Sequence, residues 1–317
     1  MTHSPLSQQL LPLVPEYKER VWGGQRLQPH TPPIGEAWIA GEDSRVAAGP
    51  LAGQTLHQLV QAAPQALLGE HLAGRYTRFP LLIKLLDCAD WLSVQVHPND
   101  EQARQLVGEG QFGKTEAWHF LEVEPGAEII VGVQAGTTPA QLAAAIRGGE
   151  VLDVSARQAV QAGDTVYIPA GTLHALGPGM LLYEVQQSSD TTYRVYDWDR
   201  PANAGRALHL EESVAVTDAG QQGDVRGVGQ TGGQGELVRS PYFVLEGLHL
   251  NAAQAADTGG RSPHLLTVTE GEVQVQRGEE RVRLRRYDTL LVAASAGGYR
   301  LEADQPARLL RASVPEA

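Results

Sequence analysis

Gln95, His97, Glu116 and His174 are the side chains whose types and spacing suggest chemistry. Gln95 and His97 stand two apart in Trp91-Leu-Ser-Val-Gln-Val-His-Pro-Asn-Asp. Period-two alternation puts Ser93, Gln95 and His97 on one strand face and Val94 and Val96 on the other. Two imidazoles and one carboxylate that leave room for a substrate suit Zn²⁺ acting as a Lewis acid, with ligand distances of about 2.0–2.2 Å. The same set suits Fe²⁺ in oxygenases, and ligand type alone does not choose between them.

The elements that must position these groups are short strands bounded by turns. Around His174 the chain reads Gly163-Asp-Thr-Val-Tyr-Ile-Pro-Ala-Gly-Thr-Leu-His. Gly163-Asp164 is a turn pair, residues 165–168 suit a strand, and Pro169 ends the ladder because it has no N–H to donate. Gly171 lets the chain turn, and His174 opens the next strand. Around Glu116, Lys114-Thr-Glu-Ala-Trp-His-Phe-Leu-Glu-Val reads as a strand with Lys114, Glu116, Trp118 and Phe120 on one face. His119 falls on the other face and reads as a surface or supporting histidine. On a further strand, residues 180–186, Glu184 and Gln186 share a face.

Asn99-Asp100 caps a helix running to about Gly108, and Thr138-Pro139 starts another closed by Gly148-Gly149. Residues 1–35, with prolines at 5, 12, 15, 29, 32 and 33, read mostly as loop. Residues 188–200, polar and aromatic, read as a surface loop. Residues 220–235, rich in Gly and Gln, read as a linker.

At 317 residues, the chain is long enough for two cores. Gly 35 and Pro 19 with repeated short apolar runs point to many strands and turns. A net charge of −12 argues against nucleic acid or an anionic membrane as partner. An anionic substrate would therefore need a local basic cluster. The chain has three lysines, Lys18, Lys84 and Lys114. In so Arg-biased a chain they hint at a need for a compact ammonium. The single cysteine, Cys88, fits a reducing cytosol. No signal peptide and no stretch apolar enough to span a bilayer is expected, so the localisation expected is cytoplasmic.

The spacing G-x5-P-x-G-x2-H resembles the second signature motif of the cupin superfamily, small β-barrels in which that His binds metal. Beyond residue 235, Leu265-Leu-Thr-Val-Thr-Glu-Gly-Glu-Val resembles a barrel hairpin. Residues 287–299 repeat the motif's frame without its Pro and His, so a second barrel without a metal site is expected. His249 and His264 read as structural or exposed. The fold expected is mainly β, two cupin-type jelly-roll barrels with a few short helices. Residues 1–219 form the metal-binding domain, 220–235 the linker and 236–317 the degenerate barrel. In the first cupin motif two His stand at H-x-H, whereas here Gln95 takes the first place, which weakens the oxygenase reading.

Four segments resemble the signatures of type I phosphomannose isomerases, short bacterial form: Gln95-Val-His-Pro-Asn-Asp, Gly113-Lys-Thr-Glu-Ala-Trp, Ile168-Pro-Ala-Gly-Thr-Leu-His and Glu184-Val-Gln-Gln-Ser-Ser-Asp. Trp22-Gly-Gly, Gly35-Glu-Ala-Trp and Arg194-Val-Tyr-Asp-Trp-Asp-Arg are similar too. The resemblance implies interconversion of mannose 6-phosphate and fructose 6-phosphate on one Zn²⁺ per chain, through a cis-enediol(ate). It implies Gln95, His97, Glu116 and His174 as metal ligands. Lys114 and Glu184 qualify as acid and base, and Arg194 as a stabiliser of enediolate charge or a phosphate contact. Lys84 and Ser93 are further phosphate candidates. The readings weighed against it are a metal-dependent cupin oxygenase and a sugar-binding cupin without turnover. The sequence does not give the oligomeric state.

Overall fold

The structure is a computed structural model that describes residues 6–201 and 206–316. It is mainly β. In chain order the strands are β1 Leu10–Pro12, β2 Glu16–Gly24, β3 Ile34–Ala40, β4 Leu81–Cys88, β5 Val94–Val96, β6 Glu116–Val123, β7 Glu128–Val133, β8 Ser155–Ala159, β9 Thr165–Ile168, β10 His174–Leu176 and β11 Met180–Gln187. They continue as β12 Tyr193–Tyr196, β13 Asp224–Arg226, β14 Gly235–Arg239, β15 Val244–Leu250, β16 Gln254–Asp257, β17 His264–Glu270, β18 Val273–Arg277, β19 Glu280–Leu284, β20 Thr289–Val292, β21 Gly298–Glu302 and β22 Ala307–Ser313.

Two compact units divide the chain. One takes the described residues of Met1–Glu16, Trp38–Lys84 and Thr231–Ala317; the other takes Tyr17–Ala37 and Leu85–Gln230. A single cut in the sequence therefore does not describe the division, although the passage at Gln230 falls inside the stretch read as a linker. That stretch is not plain linker: it holds β13, paired antiparallel with β9, and the short helix Val228–Thr231.

In the unit holding residues 85–230, one sheet runs β13-β9-β6-β11 and continues into β4, while the other runs β12-β5-β10-β7-β8. Their inward faces share a core of Trp118, Phe120, Ile129, Val166, Leu176 and Met180, all buried. A second cluster, including Val94, Val96, Ile130, Leu142 and Ile146, lies behind the second sheet. Both alternations read from sequence hold: Val94 and Val96 are buried in that cluster, and Trp118 and Phe120 in the first.

The helix starts hold as well. Asn99 accepts from the backbone N–H of Gln102 before the helix Asp100–Leu106, and Thr138 caps Pro139–Gly148 in the same way. Two readings do not hold. The stretch read mostly as loop is strand over about half of its described part, residues 6–35, which carries β1, β2 and the start of β3. Residues 188–200 are not a surface loop: Ser188, Ser189 and Asp197 are buried, and β12 pairs antiparallel with β5.

The unit ending at residue 316 repeats the plan. Its sheets contain β20-β17-β22 and β21-β18-β19, the order of β9-β6-β11 and β10-β7-β8. Register sharpens the likeness. Glu116 lies opposite Ile168, the last residue of β9, as His264 lies opposite Val292, the last of β20. Trp118 lies opposite Glu184 as Leu266 lies opposite Arg311. Gly163 and Tyr287 both have left-handed φ, 88° and 72°. Asp164 and Asp288 each accept the backbone N–H three residues earlier, that of Gln161 and that of Arg285. The inner groups differ. His264 Nδ1 lies 2.8 Å from the Tyr299 hydroxyl, and Arg311 makes a two-pronged pair with Glu246 at 2.7 and 2.9 Å.

Candidate metal centre

The turn before β9 sets the geometry. A Cβ on Gly163 would lie 2.7 Å from Val228 Cγ2, so the residue must be small as well as left-handed. β9 stops at Ile168, before Pro169, and β10 opens with His174. His174 pairs with Gln95 on one side and Val131 on the other. Gln95 in turn pairs with Arg194. Opposed residues of neighbouring strands share a face, so Arg194, Gln95 and His174 form one row across this sheet. On the facing sheet, Ile168, Glu116 and Gln186 form another.

Glu116 is reached through a clamped approach. Asp100 Oδ1 accepts from the Gly113 N–H at 2.7 Å and from Gln187 Nε2 at 2.8 Å, and the Lys114 N–H donates to the Pro98 carbonyl at 2.9 Å. Gln187 Oε1 accepts from the Thr115 N–H at 2.9 Å. Gly113 is required here, because a Cβ would lie 2.5 Å from the Asn99 carbonyl carbon.

His97, Glu116 and His174 are all buried, and one ligand atom from each lies within 4.8 Å of the other two. His97 Nδ1 donates to the Thr191 carbonyl at 2.9 Å, and His174 Nδ1 to that of Thr172 at 2.8 Å. Each bond leaves Nε2 as the lone-pair nitrogen, the tautomer a metal needs. Burial holds the His174 pKa below its ordinary value, against the pull of Glu116, so the ring is neutral and ready to ligate. His174 Nε2 and Glu116 Oε1 are 3.4 Å apart, and neither has a hydrogen-bond partner. Native interiors seldom leave buried groups so. A cation between them fits the donor set, and the three residues can hold one metal ion.

Lys114 is brought to the same place. Its Nζ lies 2.9 Å from His97 Nε2 and donates to Glu116 Oε2. Glu184 is buried, with Oε2 accepting from Trp118 Nε1 at 3.0 Å. Gln95, half-buried, is tied to the group by register with His174. Arg194 Nη1 donates to the Ala207 carbonyl at 2.9 Å, its buried Nε has no partner, and burial lowers its pKa. Lys84 is buried in the other unit, its ammonium 5.4 Å from the centroid of the Trp38 ring. His119 is not at the surface; it is buried on the far face of β6, with Nδ1 2.9 Å from Thr165 Oγ1.

Ser93 leads to residues that sequence reasoning missed. Its buried Oγ accepts from Arg206 Nη2 at 2.9 Å. Arg194, Arg200 and Arg20 all lie within electrostatic reach of Arg206, as does Asp197. No local motif marks Arg206, which meets Ser93 across 113 residues of chain. Gln186 Oε1, buried and without a partner, was also missed as a site atom; its position opposite Glu116 follows from the shared face with Glu184.

Comparison with known proteins gives the family. A family model, phosphomannose isomerase type I, catalytic domain, matches residues 10–111. A mannose-6-phosphate isomerase of Streptococcus mutans is 35% identical over 306 residues, covering 90% of this chain and 93% of that protein. The crystal structure of the Bacillus subtilis mannose 6-phosphate isomerase superposes with a TM-score of 0.84 at 30% identity, covering 96% of this chain and 99% of that one. A zinc-bound mannose 6-phosphate isomerase shares the fold at a TM-score of 0.73 and 17% identity, covering 98% of this chain and 100% of that one. No helix among the described residues is long and apolar enough to cross a membrane. With the resemblance read from motifs between Trp22 and Arg200 extended over nine-tenths of its length, the chain belongs to the type I mannose-6-phosphate isomerases.

Proposed function

We propose that the chain interconverts mannose 6-phosphate and fructose 6-phosphate by moving a proton between C1 and C2. The observation that carries this reading is the pair of buried, unpartnered atoms Glu116 Oε1 and His174 Nε2 beside the Lys114 ammonium. Moving a carbonyl from C1 to C2 passes through a cis-enediol(ate), with charge developing on O1 and O2. Zn²⁺ held by Gln95, His97, Glu116 and His174 would supply positive charge where that charge develops.

The protein's own groups do the rest. Lys114 and Glu184, buried on inward faces, are the acid and base that shuttle the proton. Both are almost wholly shielded from solvent, which keeps bulk water from the proton path. Arg194, in the row with Gln95 and His174, steadies charge on the sugar oxygens. Ser93 and Arg206 take the phosphate. Ser93 stands just before β5, two residues from Gln95, a step of about 7 Å in extended chain. That separation suits a sugar phosphate with its carbonyl end at the metal ligands. An arginine fork on a phosphate is a strong, charge-assisted contact.

The test is isomerisation of mannose 6-phosphate by the purified protein in a coupled assay. Activity should vanish on chelation and return with Zn²⁺. Oxygen uptake with Fe²⁺, or sugar binding without product, would replace this reading.

A further inference from the structure

The arginine cluster holds one buried carboxylate, and its contacts divide the cluster into an anchored part and a presented part. Arg200 is anchored: it donates to Asp90 at 2.8 Å, to the Trp91 carbonyl at 2.6 Å and to Asp197 Oδ1 at 3.0 Å. Arg206 is presented: its Nε pairs with Asp197 Oδ2 at 3.4 Å, while its Nη2 donates to Ser93 Oγ. The side chain of Asp197 is only 8% exposed, so this carboxylate is spent on the two guanidiniums rather than on water.

We infer that Asp197 is a positioning residue for substrate phosphate, holding Arg206 at Nε so that Nη2 stays at Ser93. The inference rests on the assignment of Ser93 and Arg206 to the phosphate under the proposed function. Arg206 needs such a hold. It lies outside regular secondary structure, between β12 and the helix Leu210–Val216, and a free arginine loses about 2 kcal/mol of rotamer entropy when fixed. It is also crowded by like charge: burial brings its pKa down to about 10, and Arg194, Arg200 and Arg20 push in the same direction. Asp197 opposes that repulsion while leaving the cluster net positive, as a dianionic phosphate requires. Two effects compete. Removing the carboxylate relieves its repulsion of phosphate but releases the guanidinium. The second dominates, because the charge of Asp197 is already shared between Arg200 and Arg206, while its contact at Nε fixes the planar group whose Nη2 reaches Ser93.

The test is steady-state kinetics of the zinc-loaded full chain. Asp197→Asn should raise KM for mannose 6-phosphate and the inhibition constant of inorganic phosphate about tenfold each, the scale of one charge-assisted hydrogen bond. It should leave kcat within about twofold and the metal content unchanged. In an Arg206→Ala background the same substitution should change KM no further. Unchanged or lowered KM in Asp197→Asn, or a further rise in the Arg206→Ala background, overturns the inference. If Asp197→Asn does not fold, Asp197→Glu carries the test: its displaced carboxylate should raise both constants with kcat kept, and unchanged constants overturn the inference. Arg206→Ala without effect on KM removes the phosphate assignment itself. An Arg206→Ala effect with none from Asp197 removes only the positioning role.

Discussion

Glu116 Oε1 and His174 Nε2 face each other at 3.4 Å, one on each of two facing sheets, and no hydrogen bond satisfies either. Leaving a buried polar atom unpaired costs about 1–3 kcal/mol. Such a pair is stable in the working protein when a cation lies between. Glu116 divides its charge: Oε2 is taken by Lys114 and Oε1 is left for the metal. Glu116→Gln should therefore bring metal content to background by elemental analysis and lower activity by more than about 100-fold. A Glu116→Gln protein with full metal would reject this ligand set.

Glu184 separates chemistry from binding. Its contact to Trp118 Nε1 needs only an acceptor oxygen, which an amide also supplies. Glu184→Gln should keep the metal and change KM little, while kcat falls on the order of 100-fold to 10,000-fold, the range for losing an acid or base. Wild-type kcat in Glu184→Gln would leave Lys114 as the remaining candidate.

Gly163 and Tyr287 occupy matching turns with similar left-handed φ, so backbone conformation alone does not demand glycine there. Space does. Val228 fills the place of a Cβ at Gly163. Gly163→Ala should cost about 1–3 kcal/mol in urea unfolding. Activity should fall with it, since the turn aims the strand that leads to His174. Trimming Val228 to Ala in the same chain should recover part of the loss.

His119 makes stability depend on pH. Burial brings its pKa down to about 4, with Asp164 opposing, whereas an unfolded histidine titrates near 6.5. The folded pKa is the lower one, so below about pH 6.5 the unfolded state binds the extra proton. The contribution is whole above that pH and is lost as the pH falls toward 4, by up to about 3 kcal/mol. His264 adds a loss in the same window, its pKa also brought to about 4 by burial. Urea unfolding at several pH values checks this: His119→Gln should lose less stability between pH 7 and pH 5 than its parent.

What could be read in the sequence was what short stretches decide alone. The strand Thr165–Ile168, its end before Pro169, the Asn99 and Thr138 caps and the inward faces of Glu116 and Glu184 all follow from local chemistry. β2 was hidden because its alternation carries no hydropathy signal: the charged Lys18 and Arg20 are half-buried while Tyr17 and Val21 are exposed. β12 had a signal that went unused, the buried Tyr193 and Val195 alternating with half-buried Arg194 and Tyr196. Arg206 had none, since its meaning comes from Ser93, which only folding brings near. The two-unit division was equally illegible, because each unit gathers segments from distant parts of the chain.

The repeated register has a consequence for what the ion is for. Where one barrel sets Glu116 the other sets His264, and where one sets Glu184 the other sets Arg311, locked to Glu246. The same architecture thus stands once on an internal electrostatic weld and once around donor atoms kept open. On the proposed function, zinc would then be a reagent the scaffold houses rather than a rivet it needs: circular dichroism of the chelated protein should show its strands intact while turnover is gone.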